Sequence, residues 1–197
     1  MNNVLIAMLA FAFVGAATPG PVNLLATTTA VQRGSREAFK LVLGASLAYA
    51  LVVFLSGSVM HQLVEVMPVL EGTLRWAGSL FLLYLAYQIF TAPVSELSSA
   101  EANGSGWWIG ALTQLLNPKA WLVAMSGVSL YVVGQVNQQQ WLWTFTSVSL
   151  VCCLLGVGLW AITGRAFAHY LSQPNRQRVF NRTMAIILGA SVSMIWY

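Results

Sequence analysis

Two stretches of this 197-residue chain place chemically capable residues where the surroundings are apolar. Pro19, Gly20 and Pro21, followed by Asn23 and Thr27, interrupt an apolar run that starts near Val4. Gln114, Asn117, Pro118 and Lys119 interrupt a second run that starts near Trp107. Proline is favoured at the first position of a helix, because the N–H it lacks would have had no partner there. Asn117 ahead of Pro118 therefore reads as an N-cap whose side-chain oxygen accepts from a backbone N–H. Gly20 ahead of Pro21 takes the corresponding place, giving the backbone freedom and close approach. Each stretch thus predicts a helix that restarts inside an apolar segment. Its unpaired N–H groups and positive dipole end attract anions, and in lipid they must be satisfied by protein, water or ligand.

Lys119 sharpens the chemistry. A lysine at the centre of a membrane span costs about 2.5–3.5 kcal/mol on insertion scales. The chain contains no aspartate, and no glutamate falls in the interior of a predicted span. A ligand carboxylate is the natural complement, and Asn23, Thr27, Gln114 and Asn117 are placed to hold its other polar groups. The plainer readings are a lysine that snorkels to the surface and a Pro-Gly-Pro kink that serves packing alone. Two such motifs in matched positions favour a binding site over two coincidences.

The elements that carry these residues follow from composition. The chain is 58% hydrophobic and 7% charged, against about 25% charged in a soluble domain. Spans of about 20 mostly apolar residues cross a bilayer. Six are predicted: about Val4–Gln32, Ala38–Met60, Val69–Phe90, Trp107–Gly134, Trp141–Gly164 and Arg178–Tyr197. The first and fourth contain the breaks. The Ser-, Gly- and Glu-rich segment between Thr91 and Gly106 is the one polar linker. The expected fold is an all-α membrane protein with six transmembrane helices. Residues 1–91 form one three-helix half, 92–106 a cytoplasmic linker, and 107–197 a second half. Three is odd, so the second half inserts upside down. That is the arrangement of inverted repeats, in which paired broken helices meet near the midplane and form the ligand site.

Charge sets the expected orientation and limits the partners. Arg33, Arg36 and Lys40 flank the first connection, and Arg165, Arg176, Arg178 and Arg182 flank the fifth. Only Arg75 lies on the opposite side, so connections one, three and five are expected in the cytoplasm and both termini outside. The basic residues sit beside apolar spans, which argues against a nucleic-acid face. Trp and Tyr near span ends fit aromatic belts in contact with membrane lipid. The N-terminus lacks the basic region of a signal peptide, no Lys or Arg preceding Arg33, and the first span is retained.

The remaining polar residues give no enzyme. Cys152 and Cys153 are adjacent and point about 100° apart on a helix, which makes them packing residues, neither a disulfide nor a metal site. His61 and His169 fall near span ends, where His61, Glu65 and Glu71 share an outer connection. Gly44/Ala48 and Gly189/Ser193 have helix-packing spacing. The "GASLA" around Ser46 has no histidine inside a span to activate it, and no HExxH occurs. No catalytic residue, metal or cofactor is expected.

The motifs also carry a family resemblance. "TPGPVNLLATTTAVQRGSREAFKLVLGASLAYALVV", "LRWAGSLFLLYLAYQIF" and "LTQLLNPKAWLV" resemble, in order and spacing, the LysE/RhtB family of bacterial amino-acid exporters. The chain's short length and third span look closer to the cysteine/O-acetylserine exporter branch than to the lysine exporters. The resemblance implies a six-span inner-membrane protein that exports amino acids using the proton gradient. It also draws Tyr49 into the site, standing near where many members carry a polar or acidic residue. The chain departs from the family there, and again after Asn-Pro-Lys, where "VSLYVV" stands in place of Pro-Gln-Phe. Loss of the acidic position disfavours a cationic substrate such as lysine. The expected function is a secondary transporter of small neutral amino acids or derivatives, of the cysteine, O-acetylserine, homoserine or threonine type. The alternative is a small-solute channel or a lipid-handling membrane protein. Assembly into a homo-oligomer is left open.

Overall fold

The computed structural model describes the backbone of residues 2–91, 105–168, 170 and 173–193, and the side chains within them except 2–3, 60–72, 74–75 and 191. Most of the expected linker, with Glu96 and Glu101, lies outside the described residues, as do His169 and the side chains of His61, Glu65, Glu71 and Arg75. Among the described residues there are eight helices and no strand: α1 Asn2–Ala17, α2 Pro21–Gln32, α3 Gly34–Ser58, α4 Met60–Phe90, α5 Gly106–Leu115, α6 Pro118–Tyr131, α7 Gln138–Ala168 and α8 Pro174–Ser191.

Both predicted breaks are present. The residue before a proline is pushed out of the helical region, so α1 stops ahead of Pro19 and α5 ahead of Pro118. Asn117 is extended, at φ −90° and ψ 107°, and Pro118 opens α6. Gly20 is extended as well, at φ −168° and ψ 177°, and Pro21 opens α2. The chain bends by 59° between α1 and α2. With a rise of about 1.5 Å per residue, α2 and α5 are each too short to cross a hydrocarbon core about 30 Å thick.

α3 and α7 are long and apolar enough to cross a membrane by themselves, and α1 with α2 passes the same test as a bent pair. The surface is apolar as well as the core: Leu80, Leu130 and Ile162 are exposed, while Asn23, Thr28, Gln114 and Asn117 are buried among the hydrophobic core residues. Exposed apolar side chains with buried polar ones suit a lipid surround.

Two element boundaries differ from expectation. The expected outer connection around His61 is helical, and α4 runs on through Pro68 and Gly72. α8 begins at Pro174, earlier than expected, since Pro174 occupies the first helical position. Arg33 alone separates α2 from α3, and Gly34, the first residue of α3, has φ 80°, which favours glycine.

α3 and α7 form the centre of the packing. They lie against each other, α3 also runs along α5 and α6, α7 runs along α1 and α2, and α4 lies on α8. The α3–α5 contact is backbone to backbone. A Cβ on Gly44 would fall on the Trp107 carbonyl, and one on Gly110 on the Leu41 carbonyl. Gly44 therefore packs helices together as its spacing suggested. Gly189 does not, since a Cβ there would meet nothing within 4 Å. Because backbone cannot give way as a flexible side chain can, Gly110→Ala is expected to destabilise the protein by about 1–3 kcal/mol. Thermal unfolding in detergent measures this.

Candidate functional site

The two breaks meet. A cavity of about 40 Å³ between them is lined by Gly20 and Asn23 from the first, Gln114, Asn117 and Lys119 from the second, and Tyr49 from α3. Six of the ten residues singled out in the sequence therefore share one wall. Pro19, Pro21 and Pro118 shape the breaks without lining the cavity. Thr27 does not line it either, for its hydroxyl donates to the carbonyls of Asn23, at 3.0 Å, and Trp160, at 3.1 Å, tying α2 to α7.

Lys119 reaches across to the first break. A Cβ on Gly20 would stand 3.7 Å from its Nζ, so the ammonium is turned toward Gly20. Glu37 is the one carboxylate whose side chain is described. It pairs with Arg33 at 3.7 Å and Lys40 at 2.5 Å, and its Oε2 accepts from the Gly106 N–H at 3.0 Å, at the start of α5. Among the described residues, then, no carboxylate pairs with Lys119.

The N-terminus of α6 corrects one expectation. Its first N–H groups are not left open. Asn117 Oδ1 accepts from the Lys119 N–H at 3.1 Å, and the Asn117 carbonyl accepts from the Ala120 N–H at 2.9 Å. In α2 the N–H groups of Asn23 and Leu24 both donate to the Gly20 carbonyl, each at 3.1 Å. The cap absorbs the donors that sequence reasoning offered to a ligand. Attraction for an anion rests on the Lys119 ammonium, reinforced by the dipole ends.

The C-terminal ends of the preceding half-helices are also satisfied. Trp160 Nε1 donates to the Ala17 carbonyl at 3.0 Å, and Trp121 Nε1 donates to the Leu115 carbonyl at 2.9 Å. Each break thus has an indole N–H on a carbonyl its helix leaves unpaired. Asn23 adds to this from α2, its Nδ2 donating to the carbonyls of Ala16, at 3.0 Å, and Thr18, at 2.7 Å.

Sequence reasoning missed the contribution of α7. Cys153 and Val157, one helical turn apart, line the cavity. Gln114 Nε2 approaches Cys153 Sγ at 3.7 Å. Cys152 and Cys153 are both free and buried, as their adjacency implied, but Cys153 belongs to the site. A wider depression of about 1020 Å³ at the start of α7, between Val136 and Val148, is lined by amide, hydroxyl and apolar side chains without a charge. It lacks the complement that an amino acid's charged ends need.

A family model described as LysE type translocator matches residues 13–192. The chain belongs to the LysE-type translocators. It is 30% identical to the cysteine/O-acetylserine efflux protein of Salmonella typhimurium strain LT2 over 194 residues, covering 95% of this chain and 94% of the relative. It is 28% identical over 190 residues to the cysteine/O-acetylserine efflux protein of Escherichia coli strain K12, again covering 95% and 94%. No solved structure matches it. The translocator is an all-α, multi-pass membrane protein and not an enzyme.

Proposed function

We propose that this translocator exports a small neutral amino acid or derivative, of the cysteine, O-acetylserine, homoserine or threonine type, across the bacterial inner membrane. The observation that carries the reading is the shared cavity, with an ammonium from one break, unpaired among the described residues, placed against the other. The substrate carboxylate binds at Lys119, between the starts of α2 and α6. Gly20, Tyr49, Gln114 and Asn117 surround it, with Asn23 contacting its polar groups. The efflux relatives supply the substrate class, and the neutral side chain follows from the site, where a second cation would stand against Lys119 with no carboxylate among the described residues to balance it.

The mechanism is alternating access between two inverted halves, residues 1–91 and 107–197, joined by the cytoplasmic linker 92–106. Packing supports the repeat. Exchanging α1 and α2 with α5 and α6, α3 with α7, and α4 with α8 turns each principal contact into another of the set. A 40 Å³ cavity holds about one water, whose share of liquid volume is about 30 Å³. An amino acid enters only if the halves separate, and rocking about a fixed site provides this. The proton gradient drives the cycle.

The test is a substrate screen. Vesicles containing the purified protein are loaded with labelled cysteine, O-acetylserine, homoserine, threonine, leucine or lysine, and efflux is followed with and without a proton gradient. Saturable, gradient-dependent efflux of the small neutral amino acids, with lysine retained, is the expected result. Flux that stays linear with concentration would replace the carrier with a channel. A reporter fused to either terminus is expected on the outer side of the membrane, and a cytoplasmic signal from it would reverse the orientation.

A further inference from the structure

We infer that Asn23 Oδ1 is the acceptor for the substrate's α-ammonium, which makes the cavity a receptor for a zwitterion and not merely for an anion. The inference rests on the amino-acid reading above. Asn23 is 1% exposed. Both hydrogens of its carboxamide nitrogen are committed to α1, to the carbonyls of Ala16 and Thr18. Rotating the amide would turn its oxygen onto two carbonyl oxygens, so the orientation is fixed. Oδ1 is consequently presented on the other side, buried and without a hydrogen-bond partner, in a residue that lines the cavity. A buried acceptor left without a donor is costly, and each such atom in a folded protein calls for a reason. Here the reason is a donor that arrives with the substrate.

The cavity's lining carries both signs of charge and dipole. Lys119, Asn117 and the starts of α2 and α6 mark its electropositive side. Thr18, Ala16 and Gly15, from the C-terminal end of α1, also line it, and a helix C-terminus carries the negative end of its dipole. Asn23 belongs to α2 in sequence but is bonded to the end of α1, so its oxygen extends the electronegative side. An α-amino acid, whose ammonium and carboxylate are separated by one carbon, matches this arrangement in charge. A carboxylate lacking the amine fills only half of it and leaves Oδ1 unpaired.

Competition against labelled cysteine efflux in vesicles tests this with two probes: 3-mercaptopropionate, which lacks the ammonium, and cysteamine, which lacks the carboxylate. In the parent protein each is expected to compete at least about 100-fold more weakly than cysteine, because a site built to bond a group rejects analogues without it. Asn23→Ala is expected to bring 3-mercaptopropionate within about threefold of cysteine while cysteamine stays excluded. Asn23→Ala also removes two bonds to α1, so the parent-protein comparison decides the matter if that variant fails to fold. If amino acids cross but 3-mercaptopropionate competes as well as cysteine, the assignment fails and export stands. The assignment fails equally if Asn23→Ala folds, transports and discriminates unchanged. If no amino acid crosses, the export reading and this assignment fall together.

Discussion

Lys119→Ala is expected to lower amino-acid efflux by at least about 100-fold while leaving insertion and yield near those of the parent. A charge-assisted hydrogen bond contributes about 1.5–3 kcal/mol, and a carboxylate held in a low-dielectric site depends on its counter-charge more than one in water does. Without the ammonium, the carboxylate would have to be buried with only dipole ends to compensate it. Stability should move the other way. The ammonium lies at a break inside an apolar span, with no described carboxylate beside it, and an intramembrane lysine is costly to insert. Removing it should hold or raise the thermal unfolding temperature in detergent. Lys119→Met keeps most of the side-chain volume and should behave the same way, which separates loss of charge from loss of packing. Parental efflux by either variant would remove Lys119 from the mechanism. Reduced efflux accompanied by reduced stability would make the lysine structural.

The parts of this site that were legible in the sequence are those decided within a few residues of each other. Proline lacks an N–H and restricts the residue before it, so Pro19, Pro21 and Pro118 announce helix ends and starts without any knowledge of the fold. Asn117 shows its cap for the same reason, and the hydrogen bond to the Lys119 N–H is there. What local reasoning could not supply is what satisfies the other groups at each break. The indole of Trp160 reaches the Ala17 carbonyl across 143 positions of sequence, and nothing near either residue advertises the pairing. Cys153 faces the cavity because α7 packs along α1 and α2, a consequence of tertiary packing with no periodic signature of its own. Thr27 shows the converse error. Its polarity beside Asn23 suggested a ligand contact, yet its hydroxyl is occupied by two carbonyls. A threonine one turn along a buried helix can satisfy itself on the backbone, whereas the Asn23 oxygen has no such neighbour.

Gly20 provides the second large effect, and it separates the cavity's role from that of the kink. Gly20→Val is expected to lower efflux by about 100-fold with a change in stability within about 1 kcal/mol. At φ −168° and ψ 177° the backbone is extended, a conformation β-branched residues adopt readily. The substitution therefore introduces no backbone strain and leaves Pro21 at the start of α2. Its effect is steric. A Cβ at Gly20 stands 3.7 Å from Lys119 Nζ, an ordinary contact, but the two methyl groups beyond it reach into the space where the carboxylate is proposed to bind. A methyl group occupies much of a volume near 40 Å³, so even separated halves would present a narrowed site with its ammonium displaced. Gly20→Ala, adding only the Cβ, should retain most of the stability and a measurable fraction of the efflux. A graded loss from glycine to alanine to valine, at constant unfolding temperature, is what a blocked binding site predicts. If glycine served only to let the chain bend, valine at this extended position would be tolerated in transport as well as in folding. Efflux by the valine variant equal to that of the parent would place the substrate's path elsewhere.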